Sequence, residues 1–111
     1  MTPRILSATA KTVRVTAAEA VVAVRVELDG PPAGAELRGK LVGPRRPGVT
    51  TVEVAYPLRP APGDPLTLRA VVPEPNLWTP EAPFRYDGTV KLWRDGEKLD
   101  AKPFAVELRA G

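Results

Sequence analysis

Short runs in which apolar and polar residues alternate, separated by proline and glycine, constrain the fold of this chain more than any other feature. In the clearest run, Val22, Val24, Val26 and Leu28 share one parity, and Arg25 and Glu27 occupy the other. Because successive side chains of a strand point to opposite faces, each such run predicts a strand with one buried and one solvated face. The 14 prolines and 9 glycines leave no run long enough for the crossover helices of a parallel α/β fold.

Seven runs of this kind follow one another along the chain. They lie at residues 12–16, 21–28, 36–42, 51–58, 66–72, 86–92 and 104–108. Asp95-Gly96 predicts a tight hairpin before the last run. The spacing predicts an all-β fold, an immunoglobulin-like antiparallel β-sandwich of about seven strands that forms a single domain over residues 1–111. The residues predicted to face inward include Leu37, Leu41, Val52, Val54, Tyr56, Leu58, Leu68, Val72, Tyr86, Val90, Leu92 and Val106.

The composition excludes several kinds of chemistry. The chain has no histidine and no cysteine, which removes the usual general base, the commonest metal ligand and any thiolate site. Ser7 is the only serine, so a serine–histidine nucleophile is excluded. The aspartates are dispersed along the sequence, and no glycine-rich phosphate loop occurs. We therefore predict no catalytic residue, no bound metal and no cofactor.

One connection between two predicted strands has an unusual composition. Residues 73–86 read PEPNLWTPEAPFRY, in which prolines hold an extended backbone around three aromatic residues. This segment resembles the Leu-Trp-Ser-Pro-Glu-x-Pro-x-Leu-Tyr signature of the immunoglobulin-like domain of glycoside hydrolase family 2, the family of β-galactosidases, β-glucuronidases and β-mannosidases. Thr79 replaces the serine of the signature. The residues that match are Pro75, Leu77, Trp78, Pro80, Glu81, Pro83 and Tyr86.

The resemblance implies a non-catalytic accessory domain that spaces or docks against a neighbouring catalytic domain or another protein. The two catalytic carboxylates of the family lie in a barrel that this sequence does not contain, so none is carried over. Three positions depart from the family pattern: Arg85 stands for leucine, Gly88 for an inward apolar residue, and Glu107 for glycine. The acidic pair in the connection is expected to be structural, with Glu74 solvated and Glu81 capping a local turn.

Three aromatic residues are candidates for contact. Leu77 and Trp78 are expected to plug the end of the core, although the Trp78 ring is also a candidate sugar platform. Trp93 has the parity opposite to Val90 and Leu92, so it is expected to project outward beside Lys91. The predicted interaction surface comprises Trp93, Phe84 and Arg85. The alternative function is a free-standing carbohydrate-binding module that uses Trp93 or Phe84.

The charge pattern bears on the remaining partners. Arg38, Lys40, Arg45 and Arg46 form the one basic concentration, which is expected to be a solvated face; binding of nucleic acid or of anionic polysaccharide is the alternative for this patch. For the chain as a whole we predict no nucleic-acid partner. The net charge is +3. The N-terminus lacks the apolar stretch of a signal peptide, and no segment approaches the ~20 apolar residues of a membrane span. We therefore expect no membrane partner; the compartment is unknown, with the cytoplasm as the default.

Overall fold

The computed structural model describes residues 3–30 and 34–109, and these residues form seven antiparallel strands. The predicted all-β, immunoglobulin-like antiparallel sandwich is confirmed. Among the described residues, no helix is long and apolar enough to cross a membrane. The strands are β1 (Arg4–Val15), β2 (Glu19–Asp29), β3 (Ala35–Arg45), β4 (Val54–Ala61), β5 (Asp64–Pro73), β6 (Arg85–Arg94) and β7 (Glu97–Val106).

The strands pair in the order β1-β2-β5-β4-β3-β6-β7. Strands β1, β2 and β5 form one layer, and β3, β6 and β7 form the other. Strand β4 belongs to both layers, because its first half pairs with β3 and its second half pairs with β5. Bulges interrupt the register of β1 at two places, as is common in the edge strands of a sheet.

The core lies between the two layers and consists of the inward parity of each strand. Val22, Val24, Val26, Leu68 and Val72 of the first layer are fully buried. The second layer contributes Leu37, Leu41, Tyr86, Val90 and Leu92. Fully burying a Val or Leu side chain stabilises a fold by roughly 1.5–3 kcal/mol, so the alternation read from the sequence accounts for most of what holds the layers together.

Gly88 occupies an inward position of β6 because a ring from the neighbouring strand fills its space. Gly88 pairs with Phe104 of β7, and a Cβ placed on Gly88 would overlap the Phe104 ring. The departure from the family pattern at Gly88 is therefore compensated by an aromatic side chain from the adjacent strand. This is the close approach that a glycine within a strand often indicates.

Two sequence predictions about strand position are wrong. Strand β1 begins at Arg4, well before the predicted run 12–16, because small inward residues such as Ala8 and Ala10 give only a weak hydrophobic signal. Val52 and Val54 were expected to face inward, yet they are 88% and 47% exposed. Val52 lies in the loop before β4, and Val54 is the first residue of β4, outside the buried part of the core.

The hairpin between β6 and β7 forms as predicted. Asp95 and Gly96 both adopt positive φ, 51° and 77° respectively, which is the conformation that two-residue hairpin turns require. At this same end of the sandwich, β1 approaches β7 and nearly closes the sheet. The backbone N–H of Ile5 donates to Asp100 Oδ2 at 2.8 Å, so a side chain takes the place of a ladder hydrogen bond.

The Asp100 carboxylate should make the closure sensitive to acid. Its pKa is lowered from 3.8 because it accepts hydrogen bonds first from the N–H of Ile5 and then from that of Ala101. A folded-state pKa below the unfolded value means that the stabilisation is complete above about pH 4 and is lost as the pH falls further. We expect Asp100→Ala to lower the free energy of unfolding by about 1 kcal/mol at pH 7, with a smaller loss at pH 3.

Urea unfolding of both proteins at the two pH values measures this effect. Asp100→Asn is the matched control, because the amide oxygen still accepts the Ile5 N–H but does not titrate. An Asp100→Ala protein that loses equal stability at pH 7 and pH 3 would show that the charge of the carboxylate has no part in the closure.

Candidate functional site

The candidate site lies at the end of the sandwich where three segments meet: residues 74–84 (the connection), the loop between β3 and β4, and residues 107–109. The connection is extended and is held by hydrogen bonds to the other two segments. The Trp78 N–H donates to the Leu108 carbonyl at 2.8 Å. Arg46 Nη2 donates to the Glu81 carbonyl at 2.9 Å. These bonds fix the connection against residue 108 on one side and against the β3–β4 loop on the other.

A tight turn within the connection is capped by a threonine. The Ala82 N–H donates to Thr79 Oγ1 at 3.0 Å, and the Thr79 N–H donates to the Ala82 carbonyl at 3.1 Å. The cap therefore belongs to Thr79, contrary to the prediction for Glu81, whose side chain is exposed. A hydroxyl acceptor is what threonine shares with serine, so Thr79 preserves the chemistry of the signature.

Tyr86 anchors the connection to the core. Its ring is 1% exposed, and its hydroxyl accepts a hydrogen bond from the Asn76 N–H at 3.1 Å. This arrangement is similar to the tyrosine corner of other β-sandwiches, in which a buried tyrosine hydroxyl binds the backbone upstream. The Tyr56 ring packs 6.4 Å away, centroid to centroid. Burial, and to a lesser extent the proximity of Tyr86, raise the pKa of Tyr56.

The predicted plug is correct for Leu77 and wrong for Trp78. Leu77 packs against the buried core. Trp78 is only half-buried, and the Arg109 guanidinium lies over its ring at 3.8 Å from the centroid. The two side chains differ because the extended backbone of the connection turns neighbouring residues to opposite sides.

Phe84 is also half-buried and lies under an arginine. The Arg46 guanidinium is 5.8 Å from the Phe84 ring centroid. Two cation–π pairs, Arg46–Phe84 and Arg109–Trp78, thus stand at the same end of the molecule. A cation over an aromatic face is attracted by the ring quadrupole, so both pairs hold their rings in place rather than leaving them free as flat platforms.

Arg85 belongs to a network of charges beside the connection. Arg85 is exposed, and its Nε lies 3.4 Å from Asp87 Oδ1. Arg45 donates to Glu53 at 2.8 Å and to Asp87 at 2.9 Å. The hydrogen bond to Glu53, followed by that to Asp87, raises the pKa of Arg45 above its usual range. The Arg45 guanidinium is therefore already paired with two carboxylates.

A cleft of about 380 Å³ opens beside Trp78 at this end, and we refer to it as the Trp78 cleft. The neighbouring loop adds Val49 and Val52, which are 50% and 88% exposed. The alternation of residues 51–58 predicted a strand and therefore gave no indication of this apolar loop. Pro47-Gly48 does indicate that the chain turns just before it. The cleft is lined by Pro47, Trp78, Pro83, Arg85, Ala105, Val106 and Glu107.

Trp93 lies away from this end, on the outward face of β6. The predicted orientation is correct, but the ring is half-buried, with the Arg38 guanidinium 5.2 Å from its centroid. A shallow groove runs beside it, which we call the β3–β6 groove. The structure therefore separates the predicted interaction residues: Phe84 and Arg85 lie near the Trp78 cleft, and Trp93 lies in the groove. The β3–β6 groove is lined by Arg38, Gly39, Lys40, Thr89, Lys91 and Trp93.

The acidic residues of the described chain do not form a metal-binding group. Glu74 is exposed, with φ at 47°, and its N–H donates to the Ala18 carbonyl at 2.9 Å. Glu107 binds Arg109 at 3.3 Å. Within residues 3–30 and 34–109, no three acidic side chains come together in a way that could hold a metal ion. The site thus combines apolar groups with charged groups that are already paired.

Comparisons with known proteins agree with this geometry. The family model described as "Glycosyl hydrolases family 2" matches residues 4–109. Among solved structures, a β-glycosidase from Bacteroides vulgatus is 17% identical with a TM-score of 0.65 and is matched over 96% of this chain and 13% of its own. A β-glucuronidase from Bifidobacterium dentium is 20% identical with a TM-score of 0.64, over 96% of this chain and 18% of its own.

A β-glucuronidase from Lactobacillus rhamnosus, 19% identical with a TM-score of 0.60, is matched over 96% of this chain and 16% of its own. At such identities, the structural likeness shows the fold alone. The chain spans less than a fifth of the length of these relatives. A comparison with curated proteins finds no match.

Proposed function

Since this chain belongs to glycosyl hydrolase family 2, we propose that it is a non-catalytic β-sandwich domain that docks against a catalytic barrel through the Trp78 cleft and the adjacent valine loop. The observation that carries the proposal is the exposure of Val49 and Val52 in the loop whose Pro47 lines that cleft. Large apolar side chains grouped at one surface, with polar groups around them, are typical of interaction sites.

The position of the cleft supports docking. Residues 107–109 run along it, and Arg109 covers Trp78. At the opposite end of the sandwich, Pro3 packs against Gly30. The molecule measures 47 × 29 × 19 Å, so it is elongated between these two ends. A domain of this shape is suited to keep a partner bound at the cleft at a set distance from a second neighbour at the other end.

The charges near the cleft favour a domain without catalytic activity of its own. Hydrolysis of a glycosidic bond requires one protonated carboxyl and one ionised carboxylate on opposite sides of the sugar. Asp87, Glu53 and Glu107, the carboxylates near the cleft, are each paired with an arginine side chain, so each already has a structural partner.

The aromatic residues favour docking over carbohydrate binding at this end. A module that binds sugar by stacking needs exposed rings on one flat face. Here Trp78 and Phe84 are half-buried beneath arginines, and Trp93 lies on a different surface. A single patch beside residues 107–109 is the arrangement expected for contact between domains.

Calorimetric titration of this chain with a purified family 2 catalytic barrel from the same organism tests the proposal. Burying one valine contributes roughly 1.5 kcal/mol or more, so we expect Val52→Asp to weaken the affinity by about tenfold or more. Val71→Asp is the matched control, because Val71 is 53% exposed and lies on β5, outside the cleft. The unmodified chain is expected to hydrolyse no aryl glycoside.

Three results would contradict the proposal. Equal loss of affinity in the Val52→Asp and Val71→Asp proteins, or no binding at all, would remove the docking role. Turnover of an aryl glycoside that Glu81→Gln abolishes would show that the domain is an enzyme.

A further inference from the structure

The outward face of β3 and β6 concentrates positive charge that the fold itself does not use. Arg38 and Lys91 are direct cross-strand partners, and Lys40 is the direct partner of Thr89, diagonal to Lys91. Like charges placed opposite one another destabilise a pair of strands. The repulsion between the positive side chains of this face is not balanced by an equal number of carboxylates.

The counter-charges at this face are few. Glu36 accepts a hydrogen bond from Arg38 at 3.1 Å. Among residues 3–30 and 34–109, neither Lys40 nor Lys91 forms a salt bridge. Arg45, unlike these two lysines, binds two carboxylates. Two ammonium groups in the β3–β6 groove are thus available to an anion.

The remaining walls of the groove also present hydrogen-bond donors. Thr89 contributes a hydroxyl, and Arg38 contributes the guanidinium nitrogens that Glu36 leaves unused. The Trp93 Nε1–H is buried and has no acceptor among the described residues. The Arg38 guanidinium covers the indole face, which leaves the Nε1–H edge as the part of the ring that lacks a partner among the described residues.

The size of the groove limits what it can hold. Its volume is about 240 Å³, enough for roughly one ring-sized group. Single-stranded nucleic acid binds through several phosphates and through successive bases stacked on exposed aromatic faces. The groove offers one tryptophan whose face is covered, which suits a compact acidic group better than a row of bases.

We infer that the β3–β6 groove binds an acidic sugar residue, with Lys40 and Lys91 on its carboxylate or sulfate and with Thr89 and the Trp93 indole on its hydroxyl or acidic oxygens. This site is separate from the Trp78 cleft and shares no lining residue with it. It would let the domain hold an anionic polysaccharide while the cleft engages a protein.

The test uses a uronate tetrasaccharide, its methyl-esterified form, a sulfated neutral tetrasaccharide and a single-stranded oligonucleotide. Nuclear magnetic resonance follows the two indole N–H signals of the chain. The signal that is missing from the Trp93→Phe protein is assigned to Trp93. Calorimetry measures the affinities. We expect the acidic sugar to shift the Trp93 signal and leave the Trp78 signal unchanged. Binding should weaken by about tenfold or more in Lys91→Glu and as salt is raised.

Lys11→Glu is the matched control. It changes the net charge by the same amount as Lys91→Glu, and Lys11 is exposed on β1 in the other layer. If both the uronate and the sulfated tetrasaccharide bind, the negative charge is the recognised group. If only one of them binds, that ligand shows which anion the groove recognises. Equal binding of the methyl ester, equal weakening by Lys11→Glu, tighter binding of the oligonucleotide, or no shift at millimolar sugar would each overturn the inference. None of these measurements involves Val52, so the docking proposal stands or falls separately.

Discussion

Tyr86→Ala is expected to lower the free energy of unfolding by about 3–5 kcal/mol, the usual cost of removing a buried aromatic side chain. The ring is 1% exposed and packs closely over the backbone at Gly43. Its loss opens a cavity that the paired strands cannot readily close. A domain of this size is stable by only about 5–15 kcal/mol, so the variant should be close to the limit of folding.

Tyr86→Phe separates the hydroxyl from the ring. It leaves the core filled but removes the acceptor for the Asn76 N–H, and we expect a loss of about 1 kcal/mol. Urea unfolding gives both values, and hydrogen exchange at the Asn76 amide reports the local effect. If Tyr86→Phe left that amide equally protected, the hydroxyl would not be what holds the connection.

Gly88→Ala is expected to cost about 3 kcal/mol, because its methyl group would occupy the space of the Phe104 ring and overpacked cores lose stability of this order. The informative variant is the double substitution with Phe104→Ala. Removing the ring creates the space that the new methyl group needs, so the second change should cost much less in the Gly88→Ala background. Thermal and urea unfolding of the four proteins would give a coupling energy of about 1–3 kcal/mol.

Leu28→Ala is the matched control for this cycle. Leu28 also packs partly buried against the core, but it lies on β2 in the other layer. Its effect should add to that of Gly88→Ala. An additive result for Phe104 as well would show that the ring does not determine the identity of residue 88.

The sequence predicted the strands better than it predicted the surfaces. Alternation located the inward parity of β2, β5 and β6 because burial repeats every second residue, and that repeat is local. It failed at Val52 and Val54 because parity does not reveal where the core ends. It failed at the start of β1 because Ala8 and Ala10 fill the inward positions with little hydrophobicity.

The candidate site was only partly accessible from the sequence. The proline-rich signature predicted a rigid connection, and Leu77 and Tyr86 occupy buried positions as expected. That Arg109 covers Trp78 and that Arg46 covers Phe84 are contacts between residues far apart in the chain, and no local pattern encodes them. For the same reason, no local pattern links Arg38 with Trp93, whereas the pairing of β3 with β6 brings the two side chains together.

The division of β4 between two partners affects how force would pass through the domain. Because residues 54–58 pair with β3 and residues 59–61 pair with β5, neither layer can be peeled away without breaking the hydrogen bonds of the shared strand. A pull on residues 107–109 that loosened β7 and β6 would reach β5 through this strand, in addition to the contact of β7 with β1. The domain should therefore transmit tension between its two ends as a single mechanical element and resist extension until β4 itself gives way.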